Sequence, residues 1–256
     1  MSAIKINKLT KTFGGITAIS NIDMDIDRGT IAGLIGPNGA GKTTLFNLLT
    51  GMYTPSSGDI SYKDKNIKKL KPYKITDYGI SRTFQNIRLF KNMTVLDNVS
   101  LAFNHNIDCN IFSAIFRLPS YYKEEERIHD SSLKLLEIFN LEDKKDELAK
   151  NLPYGEQRRL EIARALAADP DLLLLDEPAA GMNPNETKEL TELIKWIRDK
   201  FKLTIILIEH DMSLVMGICD KIYVLDYGTL IAEGTPDEVQ NNERVIEAYL
   251  GRKVSC

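Results

Sequence analysis

Ile22, Met24 and Ile26 alternate with Asp23, Asp25 and Asp27, the pattern of a strand with one face buried and one in water. Residues 4–35 read as strands throughout, and Arg28-Gly29 turns the alternating strand into a short apolar one ending at Ile35. A glycine-rich segment follows, then Leu45, Phe46, Leu48 and Leu49 as the apolar face of a helix. Asp59 to Tyr62 predicts another strand, and Ser81 to Gln85 a further one that ends in the polar Gln85. From residue 86 the period changes. Thr94 is placed to cap a helix carrying Val95, Leu96, Val99 and Leu101. Residues 104–120 read as irregular, and their apolar Ile107, Ile111, Phe112, Ile115 and Phe116 look exposed, with lobe core and a partner-binding surface as the two alternatives. Tyr121 to Asn140 predicts a helix with Ile128, Leu135, Leu136 and Phe139 on one face. A further helix over 151–168 is stopped by Asp169-Pro170. Leu172 to Leu175 and Leu203 to Ile208 are continuous apolar runs, typical of parallel strands covered on both faces, with a helix from Asn185 to Lys200 between them. The tail predicts strands over Lys221–Leu225 and Thr229–Ala232, then two short helices.

The segment Gly36-Pro37-Asn38-Gly39-Ala40-Gly41-Lys42-Thr43-Thr44 fits the phosphate-binding loop G-x-x-x-x-G-K-[ST], and it lies between strand and helix as that motif requires. The glycines let backbone N–H groups turn inward onto phosphate oxygens, and the helix contributes its positive end. Lys42 is placed to reach the β- and γ-phosphates, and the Thr43 hydroxyl to bind Mg²⁺. The fold class is therefore α/β: a phosphate-loop NTPase core with an antiparallel β subdomain and an inserted α-helical subdomain. The expected division is one domain over 1–256, with 1–85 and 151–256 as the nucleotide-binding core and 86–150 as the helical lobe.

Composition narrows this picture. The 33 Lys and Arg nearly balance 36 Asp and Glu, which argues against a broadly basic nucleic-acid binder. Cys109, Cys219 and Cys256 have no metal-like spacing, and three is an odd number, so a reduced, cytosolic setting is expected. The start lacks a signal-peptide core, and no apolar run approaches a membrane span. The lysines between Lys63 and Lys74 read as a solvated face, with a specific anion or lipid-headgroup contact as the alternative.

In parallel sheets the carboxyl ends of strands share the edge where ligands bind. One buried strand here delivers the phosphate loop, the next ends in Asp176-Glu177 and the third in Glu209-His210. Asp176 is expected to hold Mg²⁺ through water, and Glu177 to act as general base toward the attacking water. His210 is expected to hold Glu177 or to donate to the γ-phosphate, and Gln85 to reach the metal and its waters. Phe13, in a turn beside Gly14-Gly15, reads on pattern alone as an ordinary core aromatic, with base stacking as the alternative.

These residues carry a resemblance. The chain is similar over nearly its whole length to the ATP-binding subunits of ATP-binding cassette (ABC) transporters. The matching pieces are Phe13, Gly36 to Thr44, Gln85, Leu152 to Gln157 at the signature, Leu172 to Glu177, Ala179 to Asn183 at the D-loop, and His210. Thr83 to Phe90, residues 152–164, 176–184 and 208–212, and the ending Ala248 to Gly251 resemble the branched-chain amino acid importer subgroup, with the lipopolysaccharide-export ATPases as a neighbouring group. The resemblance implies ATP and Mg²⁺ as ligands, and ATP hydrolysis coupled to transport. It implies that Phe13 stacks on adenine, and that Pro153, Tyr154, Gly155 and Glu156 face the ATP held by a second ATP-binding subunit. That subunit is expected to be a different chain, with a second copy of this one as the alternative. Two membrane-spanning permease subunits, reached through the helical lobe, complete the assembly at the cytoplasmic face of the membrane, fed indirectly by an extracytoplasmic binding protein. No nucleic acid is expected.

The chain departs from the family pattern at Pro153-Tyr154, where Ser-Gly is usual, and at Asn183, where Asp is usual. Pro153 has neither a hydroxyl nor an N–H to offer a γ-phosphate, so the composite site completed by this signature is expected to hydrolyse ATP less well. The competing readings are an exporter ATPase and a soluble ATP-switched assembly protein. Such soluble proteins commonly carry two cassettes or long coiled-coil insertions. This chain has one signature and no sustained heptads.

Overall fold

The computed structural model describes residues 2–103 and 115–250. It divides into two compact units: Met1–Arg82 together with Asp171–Cys256, and Thr83–Pro170. The helix that follows Pro153 therefore groups with the helical lobe.

The first unit holds two sheets. Strands β1 (Ser2–Phe13), β2 (Ile16–Asp27), β4 (Ser57–Tyr62) and β5 (Lys65–Asn66) form an antiparallel sheet in the order β2-β1-β4-β5. Ile22, Met24 and Ile26 are buried and the alternating aspartates exposed, as a strand with one wet face requires. The second sheet runs β10-β9-β3-β8-β7-β6, from β3 (Ile31–Ile35), β6 (Ile80–Arg82), β7 (Leu172–Asp176), β8 (Thr204–Ile208), β9 (Lys221–Asp226) and β10 (Thr229–Gly234). All its neighbours are parallel except β9 and β10. Every residue of β3, β7 and β8 is buried, which explains their apolar runs, interrupted only by Asp176 at the end of β7 and Thr204 at the start of β8. The core gathers Ile4, Ile6, Ile22 and Ile60 from the first sheet, Leu34, Leu174, Ile206 and Tyr223 from the second, and Leu45 and Phe46 from the helix Lys42–Leu49.

Helix Pro184–Phe201 starts at a capping box. The Asn183 side chain accepts from the Asn185 and Glu186 N–H groups, and Glu186 accepts in return from Asn183 N–H. Leu190, Ile194 and Ile197 bury one stripe of it, while Trp196 stays 44% exposed with its ring edge-on to Phe201 at 6.3 Å. A short helix, Met212–Ile218, has no counterpart in the sequence reading; Asp211 caps it by accepting from Ser213 and Leu214 N–H.

The second unit contains helices Val95–Phe103, Pro119–Ile138 and Tyr154–Leu166. Thr94 and Asp97 cap the first reciprocally. Pro119 opens the second, and Asn140, at φ +54°, follows its end. Ile128, Leu135, Leu136 and Phe139 are buried, the face expected of them. Ile115 and Phe116 are each 69% exposed, whereas Ile107, Ile111 and Phe112 lie outside the described residues.

One expected strand is shorter than its sequence. β6 ends at Arg82, so Gln85 does not end a strand. Beyond Arg82 the backbone finds side chains in place of a ladder. Arg158 donates to the Phe84 carbonyl at 2.7 Å and to the Gln85 carbonyl at 2.8 Å, and Glu161 accepts from Arg88 N–H at 3.1 Å.

Candidate functional site: a nucleotide-binding edge

The parallel register explains why distant residues meet. Leu34 of β3 and Asp176 of β7 both lie level with Ile208 of β8, so the chain segments that follow leave the sheet along one edge. They are the phosphate loop, Glu177-Pro178-Ala179, and Glu209-His210.

Gly36 and Gly41 adopt φ +147° and +105°. A Cβ at Gly36 would lie 2.0 Å from the Leu225 carbonyl oxygen, and one at Gly41 would lie 2.7 Å from that of Ala18. These two glycines are thus required by packing as well as by backbone conformation. The β9–β10 turn supports the loop from outside, where Gly228 N–H donates to the Ala40 carbonyl at 3.0 Å. Lys42 is buried, and its ammonium donates to the Gly36 and Pro37 carbonyls at 2.6 and 3.0 Å. Burial pulls its pKa down, opposed by the nearby carboxylates of Glu177 and Asp176. Those two charges therefore do gather around the loop lysine. A cavity of about 680 Å³ lies beside the loop, lined by Pro37 to Ala40, by Asp226 and Tyr227, and by Arg244 and Glu247 of the last helix, Glu243–Leu250. Lys42, Asp176, Glu177 and His210 are not among its walls, so it flanks the reactive groups without containing them.

Asp176 is buried, and its Oδ2 accepts from Arg82 Nη2 at 2.7 Å. Arg82 also donates to Asn47 Oδ1 at 2.7 Å, which ties Asp176 to the helix behind the phosphate loop. Sequence reasoning missed Arg82, which stood as a charged residue inside the strand expected over Ser81 to Gln85. Glu177 has φ +49° and donates its N–H to the Ile208 carbonyl at 2.9 Å. His210 Nε2 stands 3.0 Å from Glu177 Oε1, within hydrogen-bond distance of that carboxylate for the tautomer that carries its proton on Nε2. Glu209 is also buried: its carboxylate accepts from Ala179 N–H at 2.8 Å and from His210 N–H at 3.1 Å. Burial raises its pKa, against the pull of those N–H groups.

Phe13 departs from the core aromatic that its pattern predicts. It is 40% exposed, edge-on to Tyr53 at 5.1 Å, with the Lys11 ammonium 4.8 Å from its ring centre. It sits at the tip of the β1–β2 hairpin, where little chain is left to cover it.

Among the described residues no three or more His, Cys, Asp or Glu side chains form a metal cage. The oxygens available are the exposed Thr43 hydroxyl and the Asp176 carboxylate. That donor set fits Mg²⁺, which is commonly held by one or two protein oxygens together with water and phosphate oxygens.

The second unit carries the remaining expected residues. Pro153 is the N-cap of helix Tyr154–Leu166, one position before the first turn, with no side-chain cap of its own. Glu156 accepts from Lys144 Nζ at 2.5 and 2.6 Å, and the Gln157 side chain donates to the Leu152 carbonyl. Arg158 is fully buried, pairs with Glu161 at 2.8 Å, and reaches Tyr154 Oη at 3.3 Å as well as the Phe84 and Gln85 carbonyls. Gln85 and the signature helix are therefore joined within this unit through one guanidinium.

The ABC transporter family profile matches residues 19–180. The chain belongs to the ABC transporter family. A second profile, described as branched-chain amino acid ATP-binding cassette transporter, matches residues 229–254 of this cassette. The high-affinity branched-chain amino acid transport ATP-binding protein LivG of Escherichia coli is 47% identical over 248 residues, 97% of each chain. The corresponding BraF of Pseudomonas aeruginosa is 43% identical over the same share of each. The lipopolysaccharide export system ATP-binding protein LptB of Escherichia coli is 33% identical over 98% of each chain. Among solved structures, the ADP conformation of an ATP-binding cassette of an ABC transporter superposes with a TM-score of 0.84 at 31% identity, covering 98% of this cassette and 100% of that one. No helix among the described residues is long and apolar enough to cross a membrane.

Proposed function

We propose that this cassette binds ATP with Mg²⁺ and hydrolyses it to energise an importer of branched-chain or related amino acids. The Glu177–His210 pair, at the ends of adjacent strands beside a phosphate loop, carries the hydrolytic reading. The identity to LivG and BraF, together with the match over residues 229–254, supports the cargo class.

The chemistry is attack of water on the γ-phosphorus, with cleavage of the bond to the ADP oxygen. Glu177 accepts the proton of the attacking water as the new P–O bond forms, and His210 keeps that carboxylate aimed. Loop N–H groups and Lys42 bear on the charge of the transferring group, Lys42 exchanging its bonds to the Gly36 and Pro37 carbonyls for phosphate oxygens. Thr43 and Asp176 would hold Mg²⁺, whose role is to neutralise phosphate charge. Phe13, already exposed, offers its ring to adenine. Residues Pro153 to Glu156 complete the site of a second ATP-binding subunit, the two sitting peripherally on the cytoplasmic side of two permease subunits.

The test is purification from native membranes in mild detergent, followed by reconstitution. The expected result is two different polytopic membrane subunits, a second cassette ATPase and ATP-driven uptake of leucine, isoleucine or valine. One type of membrane partner with two copies of this chain would overturn the importer reading in favour of export. Recovery without a membrane partner would overturn the transport reading.

A further inference from the structure

Two loops must agree for Glu177 and His210 to meet at 3.0 Å, and one buried side chain touches both. The Glu209 carboxylate accepts the Ala179 N–H at 2.8 Å on one oxygen and the His210 N–H at 3.1 Å on the other, with Asp211 N–H as a further donor. Glu177 needs this support. Its φ of +49° is a conformation that a glutamate side chain disfavours, and such backbone strain persists only when the surroundings enforce it. Its own N–H is fixed to the Ile208 carbonyl. On the other side stands Pro178, which has no N–H, so Ala179 offers the first backbone donor after Glu177 by which the loop can be held. Glu209 holds that donor. A side chain that only filled space at this buried position would be apolar, because an isolated carboxylate is costly to bury. Here the N–H groups of both loops offset part of that cost.

We infer that Glu209 is a positioning residue for hydrolysis: it locks the strained Glu177 loop to the His210 loop and so sets the aim of the general base. This rests on the reading of Glu177 given above. In the assembled transporter, Glu209→Ala is expected to lower kcat for ATP hydrolysis by about tenfold or more, with the KM for ATP held within about twofold. Glu209→Gln keeps the size and one acceptor oxygen, and is expected to recover part of the rate. Combined with Glu177→Gln, Glu209→Ala is expected to add almost nothing, because a residue that acts through Glu177 has nothing left to aim.

Wild-type kcat in Glu209→Gln and Glu209→Ala would overturn the inference. So would a raised KM at unchanged kcat, or full additivity in the double variant. If Glu209→Ala does not fold, the kcat of Glu209→Gln decides: a reduced value supports positioning and a wild-type value overturns it. Glu177→Gln alone separates the two layers. Normal turnover there removes the general-base reading and this inference with it; an inactive Glu177→Gln beside fully active Glu209 variants removes only the positioning role.

Discussion

The Lys42 ammonium is folded inward onto two carbonyls of its own loop, with two carboxylates close by that oppose the lowering of its pKa by burial. Lys42→Ala deletes the cation that would transfer to the phosphates. ATP affinity is expected to fall by about tenfold or more, the worth of a hydrogen bond to a charged group, as read by equilibrium nucleotide binding. Glu177→Gln should behave oppositely, keeping ATP affinity while slowing hydrolysis roughly 10²–10⁴-fold in a single-turnover assay. Both residues were legible in the sequence, Lys42 from the loop motif and Glu177 from its place after an apolar strand. Arg82 and Glu209 were not. A charged residue at a strand end ordinarily reads as facing water. Glu209 is paired with the N–H of Ala179, in the loop after the neighbouring strand, and that neighbour relation exists only after the sheet has formed.

At the scale of elements, the all-buried strands announced themselves because a strand covered on both faces favours apolar residues, here with the polar Asp176 and Thr204 confined to strand ends. The stretch after β6 reads as a continuation of the strand, yet its carbonyls are taken by Arg158. Phe13 misled in the opposite sense: an aromatic is a core candidate by composition, but a hairpin tip offers it no core. The helix Tyr154–Leu166 depends on the buried Arg158–Glu161 pair, whose charges lie on its covered side. Removing one partner leaves the other charge buried without its counter-charge. Glu161→Ala is therefore expected to cost about 3–5 kcal/mol, measured from the urea midpoint, whereas replacing both partners by apolar residues of similar volume should cost less.

At the scale of the whole molecule, two chains are proposed to share each nucleotide, and the weak point on this chain's side is Pro153. As an N-cap with no side-chain acceptor it leaves the first turn of its helix without the help that serine gives. Pro153→Ser is expected to raise steady-state ATP turnover several-fold in the assembled complex; an unchanged rate would count against an impaired composite site. The chain also has a single tryptophan, Trp196, half-exposed on the helix that Asn183 caps. Spectroscopically the cassette is thus already labelled. Tryptophan-selective emission from the isolated protein comes from that one helix, so a change in its intensity or colour on adding nucleotide reports that helix and its surroundings without any probe being introduced.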